Sequence, residues 1–573
     1  MQDFDAIVIG SGSGGLTAAL AMARAGKRVI VFEQHYLPGG YSQSFRQKGF
    51  RFSPGIHYIG GIGPGGTLRS IYEGLGIAND LVFLELDPDG YDRVVVGAEH
   101  FDIPKGFDRF AARLTERFPS EARGIERYFR IIGTIGDELG SLDSARSWPQ
   151  SLMRLPTTLR YGLLPLRRFL DSCTSDPLLR AILTIQAGDH GLAPSRAPTV
   201  LHAGLQTYYA DGGCYPRGGG HAIPDAFVKH IHAHGGKVSF GTEVIRILVE
   251  NGRAVGVRLA NGNEVRAGII VANSDPGVTW GRLVEPEHMS TRLRRRVRNL
   301  HYSVSTLSLY FAVDMDLRAA GLDSGNVWYS RTTDIDEAYE FAARSDLTTF
   351  DEIPGMFLNA TTLKDPSMRR DGLHTVEAIA MASADAFAKW KDTVPGHRPP
   401  DYLQLKEYLT GKMFDVVDKI VPGIRDRVVF QALSTPLTNM HYVGATAGAM
   451  YGIEHTLRNL GPFGFPVRSE IEGLFQCGAS TFSPGIQGVT VSGLAAAAAA
   501  LGCERAELLN ASGQSLTILP AEQPELWPPP LRPFRVPASA LVEVRQSGLP
   551  VVMPAASALG TPRRNAQPCP AEA

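Results

Sequence analysis

Residues 5–33, DAIVIGSGSGGLTAALAMARAGKRVIVFE, constrain what this chain can fold into more than any other stretch. Ala6 to Ile9 is an apolar run of β-forming residues, and Gly10, Gly12 and Gly15 follow it in G-x-G-x-x-G spacing. Leu16 to Ala25 reads as helix, Gly26 ends it, and Arg28 to Phe32 is a second apolar strand closing on Glu33. Strand, glycine turn, helix and strand make a complete βαβ unit. Its glycines allow a tight turn and let backbone approach a pyrophosphate at the helix N-terminus. An acid about twenty residues beyond the glycines accepts hydrogen bonds from a ribose. The unit predicts a dinucleotide site built on Gly10, Gly12, Gly14, Gly15, Glu33 and Gln34.

At 573 residues the chain is long enough for two or more cores. Its formal net charge of −1 supplies no global field for nucleic acid, and no nucleic-acid partner is expected. The five cysteines (Cys173, Cys214, Cys477, Cys503 and Cys569) form no C-x-x-C pair, a reduced intracellular inventory with no zinc or dithiol motif. MQDFD is acidic where a secretory signal needs positive charge. The most apolar long stretch, Val489 to Leu501, is mostly alanine and short of the ~20 residues a membrane span needs. The expectation is a cytoplasmic protein with no signal peptide or transmembrane helix, peripheral on a membrane if it meets one.

Cofactor-like motifs lie at both ends of the chain and the middle lacks them. This order predicts an α/β fold in which a Rossmann-like nucleotide domain is assembled from separated segments, 1–90, 212–290 and 441–505. An α+β substrate domain is inserted between them, helical over 91–211 and mixed over 291–440. Within the second nucleotide segment, Ala222 to His234 reads as helix and Lys237 to Phe240 as strand. Asn251-Gly252 and Asn261-Gly262 are hairpin-turn signals there. Residues 514–573 are rich in proline, including Pro528-Pro529-Pro530, and predict an extended or disordered tail, or else a docking arm.

Three further motifs resemble those of large FAD-dependent amine-oxidase-like and carotene-desaturase-like proteins. Gly39-Gly40 follow Glu33 where those proteins place a glycine doublet against the flavin diphosphate. The segment GTEVIRI…GVRL…IIVANSDP resembles the hairpin whose Glu243-Val244 backbone lies against the adenine. CGASTFSPGIQGVTVSGLAAAA resembles their closing motif, which implies that Gly478, Gly485, Ile486, Gln487 and Gly488 face the flavin ring and ribityl chain. A helix N-terminus there stabilises anionic reduced flavin. EQHYLPGG…GFRFSPGIHYIGG, GGCYPRGG and MYGIEHTLRNLGP narrow the resemblance to the family of all-trans-retinol saturases, carotenoid isomerases and phytoene-desaturase-related proteins, over residues 3–501. The loop Phe482 to Gln487 is closer to the desaturase and isomerase form than to the animal saturase.

That resemblance implies FAD as cofactor and an apolar isoprenoid, a retinoid or carotenoid-like polyene, as substrate. It leaves open saturation, desaturation and cis–trans isomerisation with reduced FAD. A remoter alternative is a prenyl-binding escort protein without flavin chemistry. No nicotinamide site is identified, because the second G-x-G-x-x-G, Gly61 to Gly66, lacks a preceding strand and carries Pro64. Electrons are therefore expected to come from or go to a separate partner. Saturation also needs a proton, for which His57, Tyr58, Tyr451 and His455 are the candidates, or else aromatics packed at the flavin face. Arg146 to Leu170 carries five arginines, no acid, Trp148 and Tyr161. It reads either as an interfacial element at a membrane surface or as helices with solvated arginines. His230, His232 and His234 make a poor ligand set, and no metal is expected.

Overall fold

The computed structural model describes residues 3–141 and 153–527. Its first layer is a five-stranded parallel sheet in the spatial order Leu474–Gln476, Ile269–Ala272, Ala6–Ile9, Val29–Phe32 and Lys237–Ser239. Ala6 lies opposite both Val29 and Ile269, which puts the glycine-bearing strand at the centre. Apart from Ile269, the first four strands are buried along their length, as a parallel sheet covered on both faces requires.

The glycine turn feeds the helix Ser13–Arg24, which packs on the helix Ala222–Ala233 and on the C-terminal helix Gly485–Leu501. The last contact is close: a Cβ at Gly493 would run into the Gly14 carbonyl. That explains the low-relief Gly and Ala composition of the final helix, which is too short and too flanked by protein to be anything but buried. The hairpin Val244–Glu250 with Arg253–Leu259 turns through Asn251 and Gly252, both at positive φ (51° and 78°), as a tight primed turn needs.

The second layer is a seven-stranded sheet. Its order is Val428–Ser434, Ser305–Val313, His374–Ala382, Gly355–Asn359, Asn326–Ser330, Asp92–Val96 and Glu99–Ile103. All pairs are antiparallel except Asn326–Ser330 with Asp92–Val96. Helices Phe107–Arg117, Ala122–Gly140, Pro177–Thr184 and Thr199–Tyr208 pack around one aromatic-rich core beside it. No described helix is long and apolar enough to cross a membrane.

One expectation is corrected. Residues 514–527, assigned above to an extended or disordered tail, are built into the fold. Thr517–Pro520 pairs in parallel with Val82–Glu85, which is itself antiparallel to Cys214–Pro216. Leu516 and Ala521 are buried at either end of that strand. The remainder of the proline-rich segment lies outside the described residues, as do Arg146 and Trp148.

Candidate active site

A continuous cavity of about 2000 Å³ opens at the carboxyl ends of the parallel strands, between the two sheets. Every cofactor residue expected from the sequence lines it except Gly15: Gly10, Gly12, Gly14, Glu33, Gln34, Gly39, Gly40, Glu243, Val244, Gly478, Gly485, Ile486, Gln487 and Gly488. Gly15 acts one step back, where a Cβ would collide with the Gly10 carbonyl and open the turn. Five separate segments thus converge on one wall.

Their local geometry fits a dinucleotide. Neither Ser13–Arg24 nor Gly485–Leu501 has a side-chain N-cap, so both present uncapped N–H groups and a positive dipole end toward the cavity. The Gly39 N–H donates to the Ser11 carbonyl at 3.0 Å, drawing the glycine doublet alongside the first turn. At Gly39 (φ +113°) a Cβ would meet Pro224 at 2.8 Å. Glu33 accepts from the Ser11 N–H and hydroxyl, both at 2.7 Å, and from the His35 N–H at 2.8 Å. Burial pushes its pKa up, opposed by those donors. The Thr242 N–H donates to the Glu33 carbonyl at 2.8 Å, bringing Glu243-Val244 beside Glu33.

The rest of the cavity is an apolar chamber, walled by Leu139, Leu205, Met356, Phe357, Ile379 and Met381. On one side His57 and Tyr58 line it, and a continuous polar network lies behind them. The Glu377 carboxylate, fully buried, lies 2.8 Å from His57 Nδ1 and accepts from the Ser53 N–H at 2.6 Å. Asn359 bridges Glu377 to Lys364, whose ammonium also donates to the His57 carbonyl (2.6 Å) and to Asn326 (2.5 Å). Burial pulls Lys364 down to about 7. Asn326 in turn donates to Asp92 at 2.8 Å, and Asp92 meets the Tyr58 hydroxyl at 3.0 Å. Three polar atoms on this side of the chamber are buried without a partner: His57 Nε2, Trp328 Nε1 and the Tyr339 hydroxyl. Such atoms mark where a ligand or water completes the site.

The four candidate proton-handling residues therefore separate. His57 and Tyr58 belong to the polar wall, and Tyr451 lines the same cavity. His455 is buried but is not among the lining residues, and burial pulls its pKa down to about 4, so it is neutral at pH 7. Sequence reasoning missed Asp92, Asp189, Lys364 and Glu377. A signal existed for Glu377, a lone acid in the middle of the apolar strand HTVEAIAMA, and for Asp189, which with His190 sits between Gly188 and Gly191. The histidines dismissed as ligands are used structurally: His230 pairs with Asp80 at 2.6 Å, and His232 and His234 bond backbone carbonyls at the helix end.

A glycine turn, an acid and two helix N-termini at the carboxyl ends of a parallel sheet, joined to an apolar chamber, define a nucleotide-dependent flavoprotein. The model of the flavin containing amine oxidoreductase family matches residues 13–501. Among curated relatives, the all-trans-retinol 13,14-reductase of Danio rerio is 30% identical over 79% of this chain and 78% of its own. The chloroplastic prolycopene isomerase of Daucus carota is 27% identical over 88% and 81%. The cyclohexylamine oxidase of Brevibacterium oxydans shares the fold at a TM-score of 0.58 and 17% identity, over 88% of this chain and 99% of its own. The chain belongs to the flavin containing amine oxidoreductase family, and it is an FAD-dependent oxidoreductase.

Proposed function

We propose that this enzyme reduces a carbon–carbon double bond of an apolar isoprenoid, a retinoid or carotenoid-like polyene. The observation that carries the reading is that the cofactor wall and the apolar chamber are one cavity. At about 2000 Å³ it exceeds the ~300–1,000 Å³ of a single-ligand pocket, which leaves room for a long substrate beside the cofactor. The names of the reductase and isomerase relatives support the same substrate class.

Bound FAD supplies hydride chemistry at such a bond. Gly10 to Gly14, Glu33, Gly39-Gly40, Glu243-Val244 and the Gly485 helix end would hold it. The chain's other tasks are to hold the polyene in the dry chamber and to keep a proton within reach. The polar wall containing His57 and Tyr58 is suited to the second task, with Tyr451 on the same cavity. A separate electron donor refills the cofactor, since the Gly61 to Gly66 loop lines this same cavity and not a second nucleotide fold.

Substrate reaches the chamber from a lipid surface. Leu159, Leu163, Leu457, Phe463 and Phe482 are both exposed and cavity-lining. Leu159 and Leu163 lie in the basic segment, where the Arg160 guanidinium sits 5.1 Å over the Tyr161 ring. Arg167 is instead committed to Asp334 and Asp336. An apolar rim flanked by cations fits peripheral attachment to a membrane, on the cytoplasmic side.

The test is anaerobic. Holoenzyme with chemically reduced FAD is mixed with a retinoid and carotenoid panel in liposomes, and products are read by mass and chromatography. A gain of two mass units with reoxidised FAD is expected. Unchanged mass, altered retention time and FAD still reduced would make the protein an isomerase instead.

A further inference from the structure

The Tyr58 hydroxyl lies between two carboxylates, 2.7 Å from Asp189 Oδ2 and 3.0 Å from Asp92 Oδ2. A phenol has one proton and can donate to one of them. Asp92 is the better anion. It is fully buried, and it also takes Asn326 Nδ2 at 2.8 Å and Gln186 Nε2 at 2.6 Å, with Lys364 beyond Asn326. Asp189 has no amide donors, only the Tyr58 and Tyr209 hydroxyls, and it lines the chamber. A second negative charge on the far side of one hydroxyl is disfavoured by the first. The short contact to Asp189 is then satisfied by a proton on its own carboxyl, donated to the Tyr58 oxygen. Tyr209 stacks on Tyr58 at 4.5 Å and 8°, fixing the phenol in this bridge.

We propose that Asp189 is the catalytic acid of double-bond reduction: it holds a proton in the Asp189–Tyr58–Asp92 bridge and delivers it to the substrate. This rests on the reductive reading above. The carboxyl O–H bond of Asp189 breaks and a C–H bond forms at one alkene carbon, using the π pair. The other carbon receives hydride, with its two electrons, from a two-electron reductant of the flavin class. Asp189 is left as carboxylate and regains its proton from water when product leaves.

The surroundings agree. Asp189 is hydrogen-bonded by Tyr58, from the loop before residue 60, and by Tyr209 at a helix end. Within its electrostatic reach lie Tyr91 and Asp92 at the start of a sheet strand, Tyr208, Tyr339 on helix Asp336–Ala342, and Tyr451 in the C-terminal loops. Burial and Asp92 together push Asp189 up to about 7, and burial pushes Asp92 up to about 6. A carboxyl held up there is protonated below that pH and empties as pH rises through it. The rate is thus expected to fall above about pH 7.

The experiment compares wild-type holoenzyme with Asp189→Asn and Asp189→Glu. Infrared difference spectra from pH 5.5 to 8.5, without substrate, are expected to show a carboxylic-acid C=O band titrating in wild type and missing in Asp189→Asn. With the panel member that wild type reduces, Asp189→Asn is expected to lose about 10²–10⁴-fold in turnover while retaining FAD and its spectrum. Asp189→Glu recovers part of the rate. Full-rate reduction by Asp189→Asn, or a carboxylic-acid band titrating near pH 7 that it leaves in place, overturns the proposal; a band titrating near pH 6 belongs to Asp92 and stays in both. If wild type itself yields no product two mass units heavier, the reductive reading fails and takes this assignment with it.

Discussion

At the scale of residues, the site uses buried charge only where partners are arranged for it. Glu33 clamps Ser11 in the glycine turn and also lines the cavity, where the proposed ribose contact would be made. Glu33→Ala is expected to weaken FAD about 10- to 100-fold, the cost of one or two hydrogen bonds to a charged group. Fluorescence or spin-column retention of FAD measures this, and an unchanged affinity would remove the ribose assignment. His57 has a structural role as well, because its Nδ1 lies 2.8 Å from the wholly buried Glu377 carboxylate. Breaking a buried pair from one side costs about 3–5 kcal/mol. Ser53 and Asn359 still solvate the carboxylate, so the low end is expected for His57→Phe. A chemical melt of His57→Phe against His57→Phe/Glu377→Gln checks it: the second change should recover much of the loss.

At the scale of elements, local signals and long-range ones part company. The first βαβ unit, the Asn251-Gly252 turn and the buried final helix were legible because strand, turn and helix chemistry is written within a few residues of itself. The cofactor wall was legible for the same reason, since its parts are glycine turns and helix starts. The polar network behind His57 and Tyr58 was not. Asp92, Asp189, Lys364 and Glu377 are far apart in sequence, and only the pairing of strands from residues 92–96, 326–330, 355–359 and 374–382 brings their neighbours together. Thr517–Pro520 is the other case: its proline-rich context reads as tail, yet its partner strand lies more than 400 residues earlier. Glu522 fastens it further, bonding the Ser324 N–H at 2.9 Å and Arg318. Ending the chain after Gly513 is expected to cost at least the ~2–5 kcal/mol of one lost buried leucine, here Leu516. A fall in the unfolding midpoint of the FAD-loaded protein checks this; an unchanged midpoint would reduce the strand to an ornament.

At the scale of the whole molecule, the two sheets divide the labour that an apolar substrate imposes. The parallel sheet turns its carboxyl ends and two helix dipoles on a charged cofactor, and the seven-stranded sheet with its helices supplies the dry chamber. A chamber this apolar is useful only if a water-insoluble substrate can enter without crossing bulk water. The exposed lining residues Leu159, Leu163 and Phe463 stand where that entry would be made. Each exposed apolar side chain inserted into a bilayer contributes roughly 1.5–3 kcal/mol, so three together decide between bound and free. Replacing all three with serine is expected to lower co-sedimentation with anionic liposomes at least tenfold. The folded core should be little affected, because about half or more of each of these side chains is already exposed. Turnover of a detergent-dispersed substrate should then change far less than turnover of the same substrate in vesicles. Equal losses in both would place the three residues in substrate packing inside the chamber and leave the membrane face to be sought elsewhere on the surface.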